Sequence, residues 1–171
     1  MRIIDNFLPS YQYKQLRDIM TGGFFPWFWN DSVIDKYHEK RWLFFHMFYH
    51  DTETSPDGGP LRSSYLPIMD PLVNQLGIKN LRRIKANLQI KTLFHDRTGY
   101  HIDYESCKTE NEMMTAVYYL NTNNGWTDIK GHGKVKSVAN RIVIFDTTLL
   151  HQGVSCTDKK RRIVLNFNWD R

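Results

Sequence analysis

RRIVLNFNW, residues 161–169, has the residue-by-residue alternation of a β-strand whose two faces differ in chemistry. One face is apolar and carries Ile163, Leu165, Phe167 and Trp169. The other face carries Arg162, Val164, Asn166 and Asn168. This second face either contacts water or lines a polar cavity, and in a cavity the arginine would need an anionic partner to offset its desolvation.

Short strands are also predicted upstream of this segment. The sequences that predict them are RRIKANLQI (82–90), MTAVYYLN (114–121) and SVANRIVIF (137–145). Turn-rich pieces, NTNNGWTD (121–128) and KGHGK (130–134), separate them, and no helical stripe lies between them. Short strands without crossover helices favour antiparallel pairing, so the C-terminal half predicts a sandwich or barrel.

The N-terminal half combines helices with a strand. Apolar residues recur at helical spacing from a cap at Ser10 to Gly22, and again from residue 63 or 64 to Leu76. Between these helices, RWLFFHMFYH (41–50) predicts an aromatic strand and DTETSPDGGP (51–60) predicts a loop. The whole chain is therefore predicted to be mainly β, with an α+β content.

Length and composition predict one globular domain that spans residues 1–171. The chain is 41% hydrophobic and 14% aromatic, which suits one sizeable core. Its first residues lack the apolar run of a secretory signal, and nowhere do eighteen apolar residues follow one another. We therefore expect a soluble, cytoplasmic protein that does not enter a membrane.

Cysteine usage and charge narrow the class of protein further. Cys107 and Cys156 form no CxxC pair, which argues against a disulfide scaffold or a zinc ribbon. The net charge of +5 is carried partly by basic clusters at 82–85 and 159–162. These clusters permit an acidic partner such as nucleic acid, although a solvated basic face is the commoner explanation.

A candidate metal site begins in TGYHIDYES (98–106). On a strand, His101 and Asp103 would point the same way with only a few ångströms between their tips, although a solvated pair would look the same in sequence. His151 lies just beyond the apolar segment RIVIFD and supplies a third candidate ligand. Two histidines and one carboxylate form the facial set that leaves three of six positions open on non-haem iron(II).

With Arg162 added, the set resembles the 2-oxoglutarate and iron(II)-dependent oxygenase superfamily. The superfamily motif is HxD, a distal histidine, and an arginine or lysine about ten residues further on. Here the motif is matched by His101, Asp103, His151 and Arg162, with ten residues between the last two. The resemblance implies that the first three residues bind iron(II) and that Arg162 binds the distal carboxylate of 2-oxoglutarate.

Two other segments are similar to the prolyl 4-hydroxylase branch, including its compact phage-like forms. They are IIDNFLP (3–9) and VYYLNTNNGWTDI (117–129). In that branch the residues that match Tyr119 and Thr127 contact 2-oxoglutarate. The branch also carries a Gly-Gly pair where this chain has Asn124 and Gly125.

A second departure lies on the strand before HxD. Prolyl hydroxylases usually carry a tyrosine there that bonds the cosubstrate. The alternating face of this strand instead offers Asn87, Gln89 and Lys91. The role of that tyrosine therefore stays unassigned in this sequence.

The resemblance implies a fold, a set of cofactors and a reaction. The fold is a double-stranded β-helix, the jelly-roll core of cupin-like proteins, with the N-terminal helices packed outside one sheet. The cofactors are iron(II), 2-oxoglutarate and oxygen, with ascorbate as a further candidate. In the reaction, a C–H bond is hydroxylated while 2-oxoglutarate is converted to succinate and carbon dioxide.

The substrate favoured by the resemblance is a prolyl residue in a peptide or protein. One alternative is oxidation of a nucleobase, since Trp27, Trp29, Arg41 and Trp42 could surround a flipped base or a single strand, although such aromatics are more often core. Another alternative is a jelly-roll module that holds a metal without chemistry, and it gives Arg162 no role. The sequence does not define an oligomeric state.

Overall fold

The computed structural model describes residues 1–30, 43–56, 58–103 and 112–171. Within these ranges the strands are β1 Arg2–Ile4, β2 Phe28–Asn30, β3 Leu43–Thr54, β4 Pro60–Arg62, β5 Leu81–Ile90, β6 Met113–Tyr119, β7 Trp126–Ile129, β8 Gly133–Lys136, β9 Arg141–Asp146, β10 His151–Val154 and β11 Arg161–Asp170. The helices are α1 Ser10–Thr21 and α2 Asp70–Leu76, and a 3₁₀ turn over Leu66–Met69 leads into α2.

The strands form two sheets that face each other. The larger sheet has eight strands in the order β1-β9-β6-β11-β5-β3-β2, with β4 paired to β3, and the smaller sheet has the order β10-β7-β8. All described pairs are antiparallel. The mainly β, double-stranded β-helix fold predicted from the sequence is confirmed, and β11 lies at its centre between β6 and β5.

The helices pack on the outer face of the larger sheet. Buried side chains of α1 and α2, among them Met20 and Leu72, belong to one cluster with Leu165 and Phe167 of β11. Alternation explains this arrangement, because the apolar face of β11 turns outward to the helices and the face with Arg162 turns inward. The predicted position of the helices is confirmed.

A second apolar cluster joins the two sheets. It contains Tyr119 and Phe145 from the larger sheet and Ile129 and Val135 from the smaller one. The cluster borders the candidate site, because Val117 and Val164 belong to the cluster and also line the cavity of that site.

Several element boundaries differ from the sequence prediction. Ser10 is the first helical residue of α1, and Pro9 takes the N-cap position without a side-chain hydrogen bond, so the predicted serine cap is wrong. Strand β3 continues through Thr54 into the predicted loop 51–60, because it forms a hairpin with β4. A polar stretch can extend a strand when a paired neighbour satisfies its backbone groups.

The predicted strand 137–145 begins only at Arg141. Asn140 adopts a left-handed conformation with φ of 61°, and its side-chain amide exchanges hydrogen bonds of 2.9 and 2.8 Å with the backbone of Leu8. This bend ends one chain segment and starts another, so the run cannot be one strand. Strands β7 and β8 lie where the sequence predicted turns, and they pair with each other.

Three predicted features lie outside the described residues, namely Arg41, Trp42 and Cys107. Within the described ranges, no helix has the length and apolar character that crossing a membrane requires.

Candidate metal and cosubstrate site

His101, Asp103 and His151 converge in the lining of a cavity between the sheets. Their candidate ligand atoms all lie within 4.8 Å of one another. His101 and His151 are brought together by two backbone hydrogen bonds of 3.0 Å, one in each direction, between the two residues. The structure thus places the three predicted ligands around one point.

The orientation of both imidazoles suits a cation. His101 Nδ1 lies 3.0 Å from the carbonyl oxygen of Gly99, and His151 Nδ1 lies 3.1 Å from that of Leu149. Since a carbonyl oxygen only accepts, each Nδ1 carries the proton and each Nε2 presents a lone pair to the centre. Burial also lowers the pKa of His151, which favours its neutral, ligating form.

Two candidate ligand atoms of the site are buried without a hydrogen-bond partner among the described residues. Among the described residues, Asp103 Oδ2 and His151 Nε2 have no hydrogen bond, and they lie 3.7 Å apart. Buried polar atoms are nearly always satisfied, so this pair points to a ligand. A divalent cation fits it, because both atoms are lone-pair donors and neither can donate a proton to the other.

Arg83 compensates the charge of the buried carboxylate. One guanidinium nitrogen of Arg83 lies 2.9 Å from Asp103 Oδ1. Burial by itself would raise the pKa of Asp103, but the positive charge of Arg83 beside it holds that pKa well below its ordinary value. The carboxylate is therefore ionised.

The sequence analysis placed Arg83 only in a basic cluster. Its alternation with Asn87 and Gln89 on β5 could have assigned it to the site.

The site opens into a cavity of about 400 Å³ between the two sheets. Its lining residues are Leu43, Arg83, Lys85, Asn87, Gln89, Thr98, His101, Ile102, Asp103, Val117, Thr127, His151, Gly153, Arg162, Val164 and Asn166. Three of the four residues on the polar face of β11 are in this set. That face therefore lines a polar cavity and does not contact bulk water.

Arg162 lies in the cavity wall and is only 3% exposed. Its guanidinium donates to Ser137 Oγ at 3.0 Å, Gln89 Oε1 at 3.2 Å and Thr127 Oγ1 at 3.1 Å, and to the carbonyl oxygen of Trp126 at 3.2 Å. All four acceptors are neutral, and no carboxylate among the described residues pairs with Arg162. Burial accordingly lowers its pKa. A buried cation with neutral partners fits an anionic ligand in the cavity.

Thr127 and Tyr119 take different places beside Arg162. Thr127 lines the cavity and bonds the guanidinium. Tyr119 is fully buried, donates to the carbonyl oxygen of Val135 at 3.4 Å and holds its ring 5.8 Å from Arg162 Cζ. Burial raises the pKa of Tyr119 to about 12. Tyr119 is not among the lining residues, so its contact with 2-oxoglutarate stays a prediction.

Gln89 is one of the three residues that the sequence offered, without a role, on the strand before HxD. It lies directly opposite Arg162 in the register of β5 and β11, bonds its guanidinium and lines the cavity. Asn87 lines the cavity as well, whereas Lys91 is not among the lining residues. Arg161 points the other way and donates to the carbonyl oxygen of Thr21 in α1 at 3.4 Å.

Gly125 permits the position of Arg162. A Cβ atom at residue 125 would lie 2.6 Å from the carbonyl oxygen of Val154 and 2.8 Å from Arg162 Cδ. We expect Gly125→Ala to displace the arginine and to weaken 2-oxoglutarate binding by at least about tenfold, measured by titration without oxygen. Gly23→Ala is the control, because a Cβ there meets nothing within 4 Å. Equal affinity of the two variants would contradict this prediction.

Residues 88–170 match the family model of the 2OG-Fe(II) oxygenase superfamily. The matched range contains the three converging side chains and Arg162. No curated protein matches the chain by sequence.

Solved structures match nearly the whole chain. An oxidoreductase of the 2OG-Fe(II) oxygenase family from Burkholderia pseudomallei has a TM-score of 0.69 at 10% identity, over 98% of this chain and 84% of that one. A viral collagen prolyl hydroxylase from Paramecium Bursaria Chlorella virus-1, in complex with 2OG, has a TM-score of 0.60 at 16% identity, over 99% and 94%. A Trichoplax adhaerens prolyl hydroxylase, in complex with a hypoxia inducible factor peptide fragment, has a TM-score of 0.60 at 13% identity, over 99% and 83%. At these identities the likeness concerns the fold.

Proposed function

We propose that this chain, whose residues 88–170 match the family model of the 2OG-Fe(II) oxygenase superfamily, is a dioxygenase that hydroxylates a C–H bond and converts 2-oxoglutarate and oxygen to succinate and carbon dioxide. The observation that carries the proposal is the lining of one cavity. Three lone-pair donors in that lining lie within 4.8 Å of one another, and the same lining holds a buried arginine that no carboxylate of the described residues contacts.

In this proposal His101, Asp103 and His151 hold iron(II). When bound, iron(II) supplies the redox chemistry by which oxygen and 2-oxoglutarate oxidise the substrate. The protein orients the donors: the carbonyl oxygens of Gly99 and Leu149 fix the two imidazole tautomers. The surrounding sheets exclude water from the reacting groups.

Arg162 takes the distal carboxylate of 2-oxoglutarate. Its guanidinium can donate a charge-assisted hydrogen bond to a carboxylate, and its buried position makes the charge strongly attractive to an anion. Thr127 and Gln89 flank the guanidinium and hold its plane. Tyr119 supports Arg162 from the apolar side.

We further propose that the substrate is a prolyl residue in a peptide or protein. Two of the similar structures are prolyl hydroxylases, and one of them contains a peptide. The segment that leads to His101 exposes Leu93 and Phe94 almost completely, which suits contact with an extended peptide.

The two alternatives have less support. Of the aromatics considered for nucleic acid, Trp29 is half exposed, whereas Trp27 packs 5.0 Å from Phe25. A module that only holds a metal does not explain why Arg162 is buried with neutral partners alone among the described residues.

Succinate formation from 2-oxoglutarate with iron(II) and oxygen tests the function. We expect succinate formation to rise with proline-containing peptides, and the peptide to gain one oxygen atom at proline. The matched control is the same peptide with alanine in place of proline. No succinate with any substrate would contradict an oxygenase, and oxidation of single-stranded nucleic acid alone would favour the alternative. The use of ascorbate, the cytoplasmic location and the single domain stay predictions.

A further inference from the structure

We propose that Arg83 is a positioning residue that restricts Asp103 to coordinating the metal through one oxygen. This inference rests on the proposed function, because it takes iron(II) to be held by His101, Asp103 and His151.

The two oxygens of Asp103 differ in their surroundings. Oδ1 accepts a charge-assisted contact of 2.9 Å from the Arg83 guanidinium. Oδ2 is buried without a partner among the described residues and lies 3.7 Å from Nε2 of His151. Among the described residues Oδ2 is therefore the oxygen without a partner, and it faces His151, whereas Oδ1, which lies 3.8 Å from Nε2 of His101, is held by Arg83.

A buried polar chain fixes the guanidinium in place. Arg83 Nε donates to Asn168 Oδ1 at 3.0 Å, and Asn168 Nδ2 donates to Thr115 Oγ1 at 2.9 Å. The Thr115 hydroxyl lies 2.9 Å from that of Thr147. The three residues beyond Arg83 are fully buried, so the guanidinium cannot turn away from Asp103 without breaking satisfied interior bonds.

The number of Asp103 oxygens that bind the metal ion would determine how many of its coordination positions stay open. With two histidines, a carboxylate bound through both oxygens would fill four of six positions. A chelating 2-oxo acid would take the remaining two and leave no position for oxygen. Binding through Oδ2 alone leaves three positions, which the reaction requires.

The charge of Arg83 also competes with a metal for Asp103. Replacing Arg83 by glutamine should therefore strengthen metal binding while it impairs turnover, because both carboxylate oxygens become available to the metal. If Arg83 had only a structural role, its replacement would change the metal affinity in the opposite direction. Metal binding would then weaken together with the stability of the protein. The direction of the change in metal affinity thus separates the two roles.

The experiment titrates cobalt(II) into metal-free protein at about pH 8, where protonation of a carboxyl does not compete. Calorimetry gives the affinity, and the visible absorption of bound cobalt(II) reports its coordination number. We expect Arg83→Gln to bind cobalt(II) about tenfold more tightly than wild type, with a changed spectrum. Its iron-dependent turnover of 2-oxoglutarate should fall by at least about tenfold.

Two further variants complete the design. Arg83→Lys keeps the charge but not the planar fork, so we expect cobalt(II) affinity within about twofold of wild type and intermediate turnover. Arg82→Gln is the matched control, because Arg82 pairs with Asp51 and Asp170 at 2.9 and 2.7 Å, away from Asp103. It should behave as wild type in every measurement of the metal site.

Weaker cobalt(II) binding by Arg83→Gln would overturn the inference, as would unchanged affinity with unchanged turnover. If that variant does not fold, Arg83→Lys decides: wild-type turnover with a wild-type spectrum would overturn it. Wild-type protein that binds cobalt(II) but forms no succinate would contradict the proposed function, while the affinities of the variants would still test the role of Arg83.

Discussion

Alanine at His101 or at Asp103 is expected to remove iron-dependent 2-oxoglutarate turnover, by at least about a hundredfold in each case. Each substitution deletes one of three donors that lie within 4.8 Å of one another, and two donors do not close a metal site. The measurement is succinate formation, paired with calorimetric titration of a divalent metal.

Both variants are expected to stay folded. Neither side chain belongs to the apolar clusters, and the bridge between His101 and His151 is made by backbone atoms. Asp103→Ala should be the less stable of the two, because it leaves Arg83 without its carboxylate partner. His132→Ala is the control, since that exposed histidine lies 3.2 Å from the carbonyl oxygen of Lys130 on a surface turn. Retained turnover in both site variants would refute the metal assignment.

Arg162→Ala is expected to weaken 2-oxoglutarate binding by roughly 2 to 5 kcal/mol, or about one and a half to three and a half decades in affinity. The substitution removes a charge-assisted contact from a cavity wall that is almost completely buried. Arg162→Lys should retain part of the affinity, because lysine keeps the positive charge but lacks the planar guanidinium group. The measurement is titration of 2-oxoglutarate into iron-loaded protein without oxygen.

Arg161 provides the matched control for this prediction. It is the adjacent arginine on the same strand, but its guanidinium contacts α1 through Thr21 and does not reach the cavity. Arg161→Ala should therefore bind 2-oxoglutarate with nearly wild-type affinity. A larger loss for Arg161→Ala than for Arg162→Ala would show that the other face of β11 meets the ligand.

The sequence by itself determined the features that depend on local periodicity. Alternation along 161–169 separated the core-facing side chains of β11 from Arg162 and its polar neighbours, and the structure has both faces as predicted. Helical spacing located α1, and the order of His101, Asp103, His151 and Arg162 named the candidate site. These features follow from a period of two or of 3.6 residues, which a chain carries without knowledge of its distant parts.

Only the tertiary structure decided which distant residues meet. The backbone bridge between His101 and His151, the contact of Arg83 with Asp103 and the pairing of Gln89 with Arg162 all depend on strand register. Register is set by the pairing of whole strands, which the composition of a single segment does not specify. For the same reason β7 and β8 arose in segments that looked like turns, since their backbone groups are satisfied by each other and not by a local sequence preference.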